Sequence, residues 1–152
     1  FFPDSSRPEI LMDVWFPEGT SFAANEQTVK RIEARLMAEP GVNSVSTWVG
    51  SGVPRFYLPM DAIFPQSNVS QFIILPDDLK LRESIRIKLP ILMAQEFPEV
   101  RSRVKILPNG PPVAFPVQFR VVGGEPVGLR ERADEVKAVM RASSNTRGVN
   151  DN

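Results

Sequence analysis

The spacing that most constrains this chain is a strand–helix–strand pattern that occurs twice between residues 8 and 107. In the first unit, apolar residues alternate with their neighbours at the two-residue period of a strand: Ile10, Met12, Val14 and Phe16. A turn and a hydroxyl N-cap at Ser21 then predict the start of a helix, which Pro40-Gly41 ends. The alternating segment from Val42 to Val49 predicts a second strand.

The second unit repeats this order. Val69 to Leu75 predicts a strand, residues 81–92 have apolar side chains at helical spacing, and Val100 to Leu107 alternates again. Pro90 lies inside the helical segment and predicts a kink or a break there. Together the units predict an α+β fold, a ferredoxin-like βαββαβ sandwich with a four-stranded sheet and two helices on one face. Six side chains are expected to be buried in it: Ile10, Val14, Val29, Ile32, Ile85 and Val104.

A third unit begins after the second one and is incomplete. Pro116 to Val122 predicts a strand, and apolar residues at helical spacing predict a helix from about Pro126 to Ala142. Because no further strand completes this unit, we interpret residues 113–152 as the first half of a second βα(β) subdomain, with an unpaired strand edge and an incompletely covered helix face. Phe1 and Phe2 at the beginning and a strand-like sequence at the end predict a segment of a longer protein.

The composition offers few chemical groups for catalysis. Eighteen basic residues balance eighteen acidic ones, so no net charge attracts nucleic acid, and a nucleic-acid partner is disfavoured. The chain has no histidine and no cysteine, and its acidic residues are not spaced as an acid–base pair, so we predict no enzyme and no cofactor. A soft-metal site formed by Met12, Met60 and Met93 is an alternative, but their spacing favours core or wall positions.

Several of these stretches together resemble one family of transporters. The strand "EILMDVWFPEGTS", the crossover "GPPVAFPVQFRVVGGEP" and the end "NTRGVNDN" are similar to resistance-nodulation-division efflux transporters of the hydrophobic and amphiphilic, acriflavine-resistance type. The similarity extends over essentially the whole chain and corresponds to the start of the family's second large periplasmic loop. It implies one complete porter subdomain at residues 8–107 and the beginning of another at 113–152. The region from Gly50 to Asn68 is longer here than in the best-known members.

The resemblance also implies a function and partners. The chain would be the periplasmic portion of a Gram-negative inner-membrane protein that works as a proton-driven homotrimer and exports amphiphilic small molecules. Its partners would be the remainder of the transporter chain, a periplasmic adaptor protein and an outer-membrane channel. Lipids, nodulation factors or metal ions are alternative cargoes within the family. An independent ferredoxin-like domain that binds a small molecule is the alternative outside it.

Three places are candidates for the substrate path. Leu11, Asp13 and Trp15 alternate with the apolar strand face and are expected to look outward, either as an ordinary mixed surface or, by the resemblance, as a wall of the substrate cleft. The stretch "GSGVPRFY" is either a structural hairpin whose rings cover the sheet or, by the resemblance, a flexible loop between two substrate pockets. The connector "PNGPP" is expected to be stiff. The full set of substrate-path residues is Leu11, Asp13, Trp15, Gly50, Ser51, Gly52, Val53, Pro54, Phe56, Tyr57, Pro111 and Pro112.

Overall fold

A computed structural model describes residues 5–110, 117–146 and 148–151 of the chain. The chain divides into two compact units, Phe1–Ala114 and Phe115–Asn152. The described residues of the first unit form four strands and two helices, in the order β1 Ile10–Trp15, α1 Phe22–Met37, β2 Val42–Val49, β3 Val69–Pro76, α2 Leu79–Glu96 and β4 Arg101–Ile106. Those of the second unit form one helix, α3, at Pro126–Ala142.

The four strands form one sheet in the order β2-β3-β1-β4, and every neighbouring pair is antiparallel. β1 lies between β3 and β4, so Asp13 faces Gln71 on one side and Arg103 on the other. With one helix between β1 and β2 and the other between β3 and β4, this order is that of a ferredoxin-like βαββαβ fold. The predicted fold class is therefore confirmed.

Helix α1 begins and packs as its sequence predicts. The Ser21 hydroxyl accepts a hydrogen bond from the Ala24 N–H at 3.2 Å, which satisfies one of the free donors of the first turn. Val29, Ile32 and Leu36 follow at intervals of three and four residues and are buried. The helix thus presents one apolar stripe to the sheet and leaves its other side in solvent.

Helix α2 is continuous across its proline. The Asp78 carboxylate caps it by accepting from the Leu81 N–H at 2.8 Å, and Ile85 and Leu89 are among its buried residues. Pro90 is exposed, and the helix runs unbroken from Leu79 to Glu96 around it. A break at Pro90, one of the two predicted outcomes, does not occur, because the buried side chains on both sides of it hold the helix against the sheet.

The main core lies between the two helices and one face of the sheet. Phe72 and Ile74 on β3 and Met12 on β1 are completely buried in it. Five of the six side chains predicted to be buried lie there: Ile10, Val14, Val29, Ile32 and Ile85. The sixth, Val104, packs against the core but is only partly buried, because β4 is an edge strand.

The second unit differs from the prediction. Residues 117–122, where a strand was expected, form no strand in the described part of the chain. A strand needs a neighbour for its backbone hydrogen bonds, and the described residues of this unit offer no other strand. Helix α3 forms as predicted, and none of its described residues is buried, so its apolar side is incompletely covered as expected.

Candidate functional site

The sheet face that points away from α1 and α2, which we call the open face, contains the first three candidate residues. Leu11, Asp13 and Trp15 alternate with the core residues of β1 and lie on this face, as the strand period predicts. The face is not exposed, however. Leu11 and Asp13 are each 1% exposed and Trp15 is half-buried. The expectation that Leu11 and Asp13 form an outward-looking surface is therefore wrong.

The residues between β2 and β3 cover this face, and we call residues 50–68 the covering loop. Val53 and Met60 of the loop are buried against Leu11 on β1 and Leu107 after β4, and this second apolar cluster also contacts Trp48, Tyr57 and Ile73. The sheet is consequently a middle layer, with helices on one side and the covering loop on the other. That packing removes Leu11 from solvent and stabilises the loop by burial of apolar area.

A polar connection joins the covering loop to the sheet beneath it. The Asp13 carboxylate accepts from the Gln71 side-chain amide at 2.6 Å and from the Lys105 ammonium at 2.7 Å. The Gln71 side-chain oxygen in turn accepts from the Val53 backbone N–H at 2.8 Å. Gln71 is 1% exposed, so each partner satisfies a group that water cannot reach. Asp13 thus holds the Gln71 side chain in place, and Gln71 anchors the loop.

Two glycines allow the beginning of the covering loop to approach its end. Gly50 has a φ of +71°, donates to the Val69 carbonyl at 2.8 Å and accepts from the Gln66 N–H at 3.0 Å. Gly52 donates to the Ile63 carbonyl at 3.2 Å. A Cβ at Gly52 would lie 2.7 Å from the Ile63 Cβ, which is too close for two carbon atoms. This close packing favours the structural alternative for "GSGVPRFY", a hairpin whose rings cover the sheet, although of the two rings Tyr57 packs on the sheet and Phe56 is exposed.

The outer side of the covering loop is apolar. Phe56, Leu58 and Phe64 are 48%, 80% and 76% exposed. The Arg7 guanidinium lies 5.9 Å from the Phe56 ring centre and 5.4 Å from that of Tyr57. Hydrogen bonds from Arg7 lower the pKa of the Glu9 carboxyl, since they favour its charged form.

The remaining loop candidates differ in exposure. Ser51 is half-buried, Val53 is buried, Pro54 is exposed and Tyr57 is half-buried. The structure therefore brings Val53 and Tyr57 of the loop together with Leu11 of the sheet, while Pro54 and Phe56 face solvent. Pro111 and Pro112 lie outside the described residues.

One corner of the open face lies beyond the apolar cluster. Trp15, the last residue of β1, faces Arg101 on β4, and the Arg101 guanidinium lies 4.4 Å from the indole ring centre. This separation allows a cation–π interaction between the two side chains. Arg101 is exposed, so its guanidinium can also contact solutes.

The three methionines of the soft-metal alternative do not come together. Met12 and Met93 are buried in the main core, whereas Met60 is buried under the covering loop on the other side of the sheet. Within the part of the chain that the structure describes, no group of three or more histidine, cysteine, aspartate or glutamate residues could hold a metal ion.

Sequence reasoning missed Gln71, Lys105 and Arg101. One signal could have indicated a covered open face: "VSQFIIL" on β3 is apolar at five of its seven positions, with apolar residues at four consecutive positions, which is typical of a strand buried on both faces. In such a strand an isolated glutamine needs a buried partner. The neighbouring strand supplies one in Asp13.

The fold and the covered sheet define the chain's first unit as a ferredoxin-like α+β domain. Neither a protein-family model nor a curated protein sequence matches this chain. Among solved structures, it is similar to SnoaB, a cofactor-independent oxygenase from Streptomyces nogalater, at 14% identity and a TM-score of 0.37, over 72% of this chain and 100% of that one. It is also similar to an ethyl tert-butyl ether d (EthD) family protein from Bacillus halodurans, at 14% identity and a TM-score of 0.35, over 64% of this chain and 95% of that one.

The similarity to SnoaB corrects one prediction. The chain was expected not to be an enzyme, and that expectation is contradicted by a similar structure that is an oxygenase. At 14% identity the similarity concerns the fold alone, and it assigns no reaction to this chain.

In the described residues, no helix is both long and apolar enough to cross a membrane.

Proposed function

We propose that this chain is a periplasmic porter segment of a proton-driven resistance-nodulation-division efflux pump, and that the covering loop borders the path of amphiphilic substrates. The sequence resemblance over the whole chain is the origin of the proposal. The structural observation that supports it most is the covering loop itself, which is anchored underneath by Gln71 and exposes Phe56, Leu58 and Phe64 on its outer side.

Exposed side chains of this size favour binding. An exposed large apolar side chain gains about 1.5–3 kcal/mol when it is fully removed from water, so the outer side of the loop would stabilise a bound apolar ligand. An anchored loop also loses little conformational entropy when a ligand binds to it. In this proposal the segment works within a homotrimer, next to the remainder of the transporter chain, and passes its cargo towards an adaptor protein and an outer-membrane channel.

Dye export by the full-length protein that contains this segment tests the proposal. The protein is expressed in Gram-negative cells that lack their own efflux pumps, and loss of the neutral apolar dye N-phenyl-1-naphthylamine from the cells is followed by fluorescence. We expect faster loss than in cells without the protein, and slower loss for Phe64→Ser.

Ile87→Ser is the matched control. Ile87 is 63% exposed on α2, on the side of the sheet away from the covering loop, so its replacement removes similar apolar area without touching the loop. Dye export that does not depend on the protein would refute the proposed function. Equal export by the Phe64 and Ile87 variants would refute the role given to the loop.

A further inference from the structure

We infer that Trp15 and Arg101 form a binding site for the anionic group of an amphiphilic ligand, with the ligand's apolar part next to the indole. We call this pair the Trp15–Arg101 corner. The inference rests on the proposed function only in identifying the ligand with the pump's cargo. It goes beyond that function because it specifies the charge of the ligand and the residues that recognise it.

The first argument is a comparison of three arginines that lie over aromatic rings. The Arg7 guanidinium lies near the Tyr57 ring and pairs with the Glu9 carboxylate at 2.5 Å. The Arg31 guanidinium lies 5.4 Å from the Phe97 ring centre and pairs with the Glu99 carboxylate at 3.4 Å. In both, the ring and a carboxylate of this chain share one guanidinium.

Arg101 lies near the Trp15 ring, but no carboxylate among the described residues pairs with it. Its guanidinium is the closest of the three to a ring, at 4.4 Å from the Trp15 centre, and among the described residues no acidic side chain forms a salt bridge with it. A guanidinium carries five N–H donors, more than a contact with one ring can use. A carboxylate, sulfonate or phosphate on a ligand would complete at Arg101 the arrangement that Glu9 and Glu99 complete elsewhere.

The second argument is the charge of the surrounding strand. Because alternate side chains of β4 share a face, Arg101, Arg103 and Lys105 all lie on the open face. Asp13 is the one carboxylate among the strand residues of that face, and it is buried and bound to Lys105 and Gln71. Asp13 compensates the charge of Lys105, and the described strand residues of this face offer no further carboxylate for Arg101, which favours an anion at the exposed corner.

The third argument concerns the ligand's apolar part. Trp15 is half-buried and lies outside the cluster that the covering loop makes with the sheet, so part of the indole remains accessible. An indole has both an extended apolar surface and a planar ring that aromatic ligands can contact. A ligand with an acidic group and a flat apolar body would contact Arg101 and Trp15 at the same time.

A pair of fluorescent probes that differ in one charge tests the site on the 152-residue chain. The anionic probe is 1-anilinonaphthalene-8-sulfonate and the neutral probe is N-phenyl-1-naphthylamine, which has the same ring skeleton without the sulfonate. We expect the chain to bind the anionic probe more tightly. A hydrogen bond to a charged group is worth enough that Arg101→Gln should weaken anionic-probe binding about tenfold and leave neutral-probe binding within about twofold.

Arg31→Gln is the matched control, since it removes the same charge from a guanidinium that also lies near a ring but already has Glu99 as its partner. It should leave the binding of both probes unchanged. Trp15→Leu, which keeps an apolar side chain, should weaken the binding of both probes. Equal affinities of the unaltered chain for the two probes, or equal effects of Arg101→Gln and Arg31→Gln, would overturn the inference.

The two proposals fail separately. If the full-length protein exports the neutral dye but Arg101→Gln does not change anionic-probe binding, the corner is wrong and the proposed function stands. If Arg101→Gln weakens anionic-probe binding as expected but the protein exports nothing, the corner stands as a binding site and the proposed function is wrong.

Discussion

Replacement of Gly52 by alanine distinguishes a packed covering loop from a flexible one. The added Cβ would lie 2.7 Å from the Ile63 Cβ, 3.0 Å from the Ile63 carbonyl oxygen and 3.2 Å from the Gln71 side-chain oxygen. Carbon atoms pack at about 3.5–4.0 Å, so the backbone at residue 52 and the side chain of Ile63 must move apart by about 1 Å. That movement would stretch the Gly52–Ile63 and Val53–Gln71 hydrogen bonds.

The expected cost follows from these contacts. Overpacking in a fixed environment costs about 1–3 kcal/mol, and weakening the two hydrogen bonds costs about 1 kcal/mol in all, so Gly52→Ala should lower the free energy of unfolding by about 2–4 kcal/mol. Urea unfolding measures this as a lower midpoint at an unchanged slope. Gly124→Ala is the control, because nothing lies within 4 Å of a Cβ built there.

If the covering loop were flexible, Gly52→Ala would change the free energy of unfolding very little. A loss below about 0.5 kcal/mol for Gly52→Ala, equal to that for Gly124→Ala, would refute the packing described here, since surface substitutions fall in that range.

Three further substitutions test other parts of the structure. Gln71→Leu should cost about 3 kcal/mol in urea unfolding, because it leaves the buried Val53 N–H without an acceptor and leaves the buried Asp13 carboxylate with Lys105 alone, whereas the exposed Gln95→Leu should cost less than about 0.5 kcal/mol. Hydrogen bonds from Lys88 and Arg35 lower the pKa of the buried Glu39 carboxyl below its ordinary value of 4.5, so its stabilisation should be complete above that value and should decrease as the pH falls through the lowered folded pKa. Glu39→Gln should accordingly lower the free energy of unfolding at pH 7, and urea unfolding should show a smaller loss as the pH is lowered. Pro90→Ala should raise the free energy of unfolding by about 2 kcal/mol, because a proline inside a helix lacks an N–H donor and Pro90 is exposed.

The sheet and the helices could be predicted because local patterns specify them. The two-residue period of Ile10, Met12 and Val14 identified the face that packs under the helices, and the Ser21 hydroxyl identified a helix start that does not depend on distant residues. The strand expected at residues 117–122 shows the limit of such patterns. Alternation favours a strand, but backbone hydrogen bonds to a neighbouring strand are what form one.

The covered open face could not be predicted in the same way. The covering loop has no periodic pattern, and its anchor joins Val53 to Gln71, residues that sequence spacing does not relate. Asp13 illustrates the consequence. On a strand whose other face is apolar, an aspartate is most simply placed in solvent, yet here Gln71 and Lys105 supply partners that allow its burial. A prediction of that kind needs the tertiary contact first.

The covering loop should stay closed in the isolated chain, which bears on how a substrate could pass it. Lifting the loop would expose four buried apolar side chains, Leu11, Val53, Met60 and Leu107, at about 1.5–3 kcal/mol each. The sum, about 6–12 kcal/mol, is comparable to the stability of a whole domain. We therefore expect the Val53 amide, which is bonded to Gln71, to exchange its hydrogen at least about 10⁴-fold more slowly than an open amide, since 1.4 kcal/mol corresponds to a factor of ten.

Phe64 supplies the comparison within the same loop, because among the described residues its N–H has no hydrogen-bond acceptor and its ring is exposed. Its amide should exchange at nearly the unprotected rate in the same experiment, measured by NMR on the unaltered chain. Equally fast exchange at Val53 and Phe64 would mean that the loop lifts readily and that a substrate could pass beneath it. Slow exchange at Val53 alone means that lifting costs most of the domain's stability. In the proposed function, substrates would then move along the outer side of the loop, past Phe64.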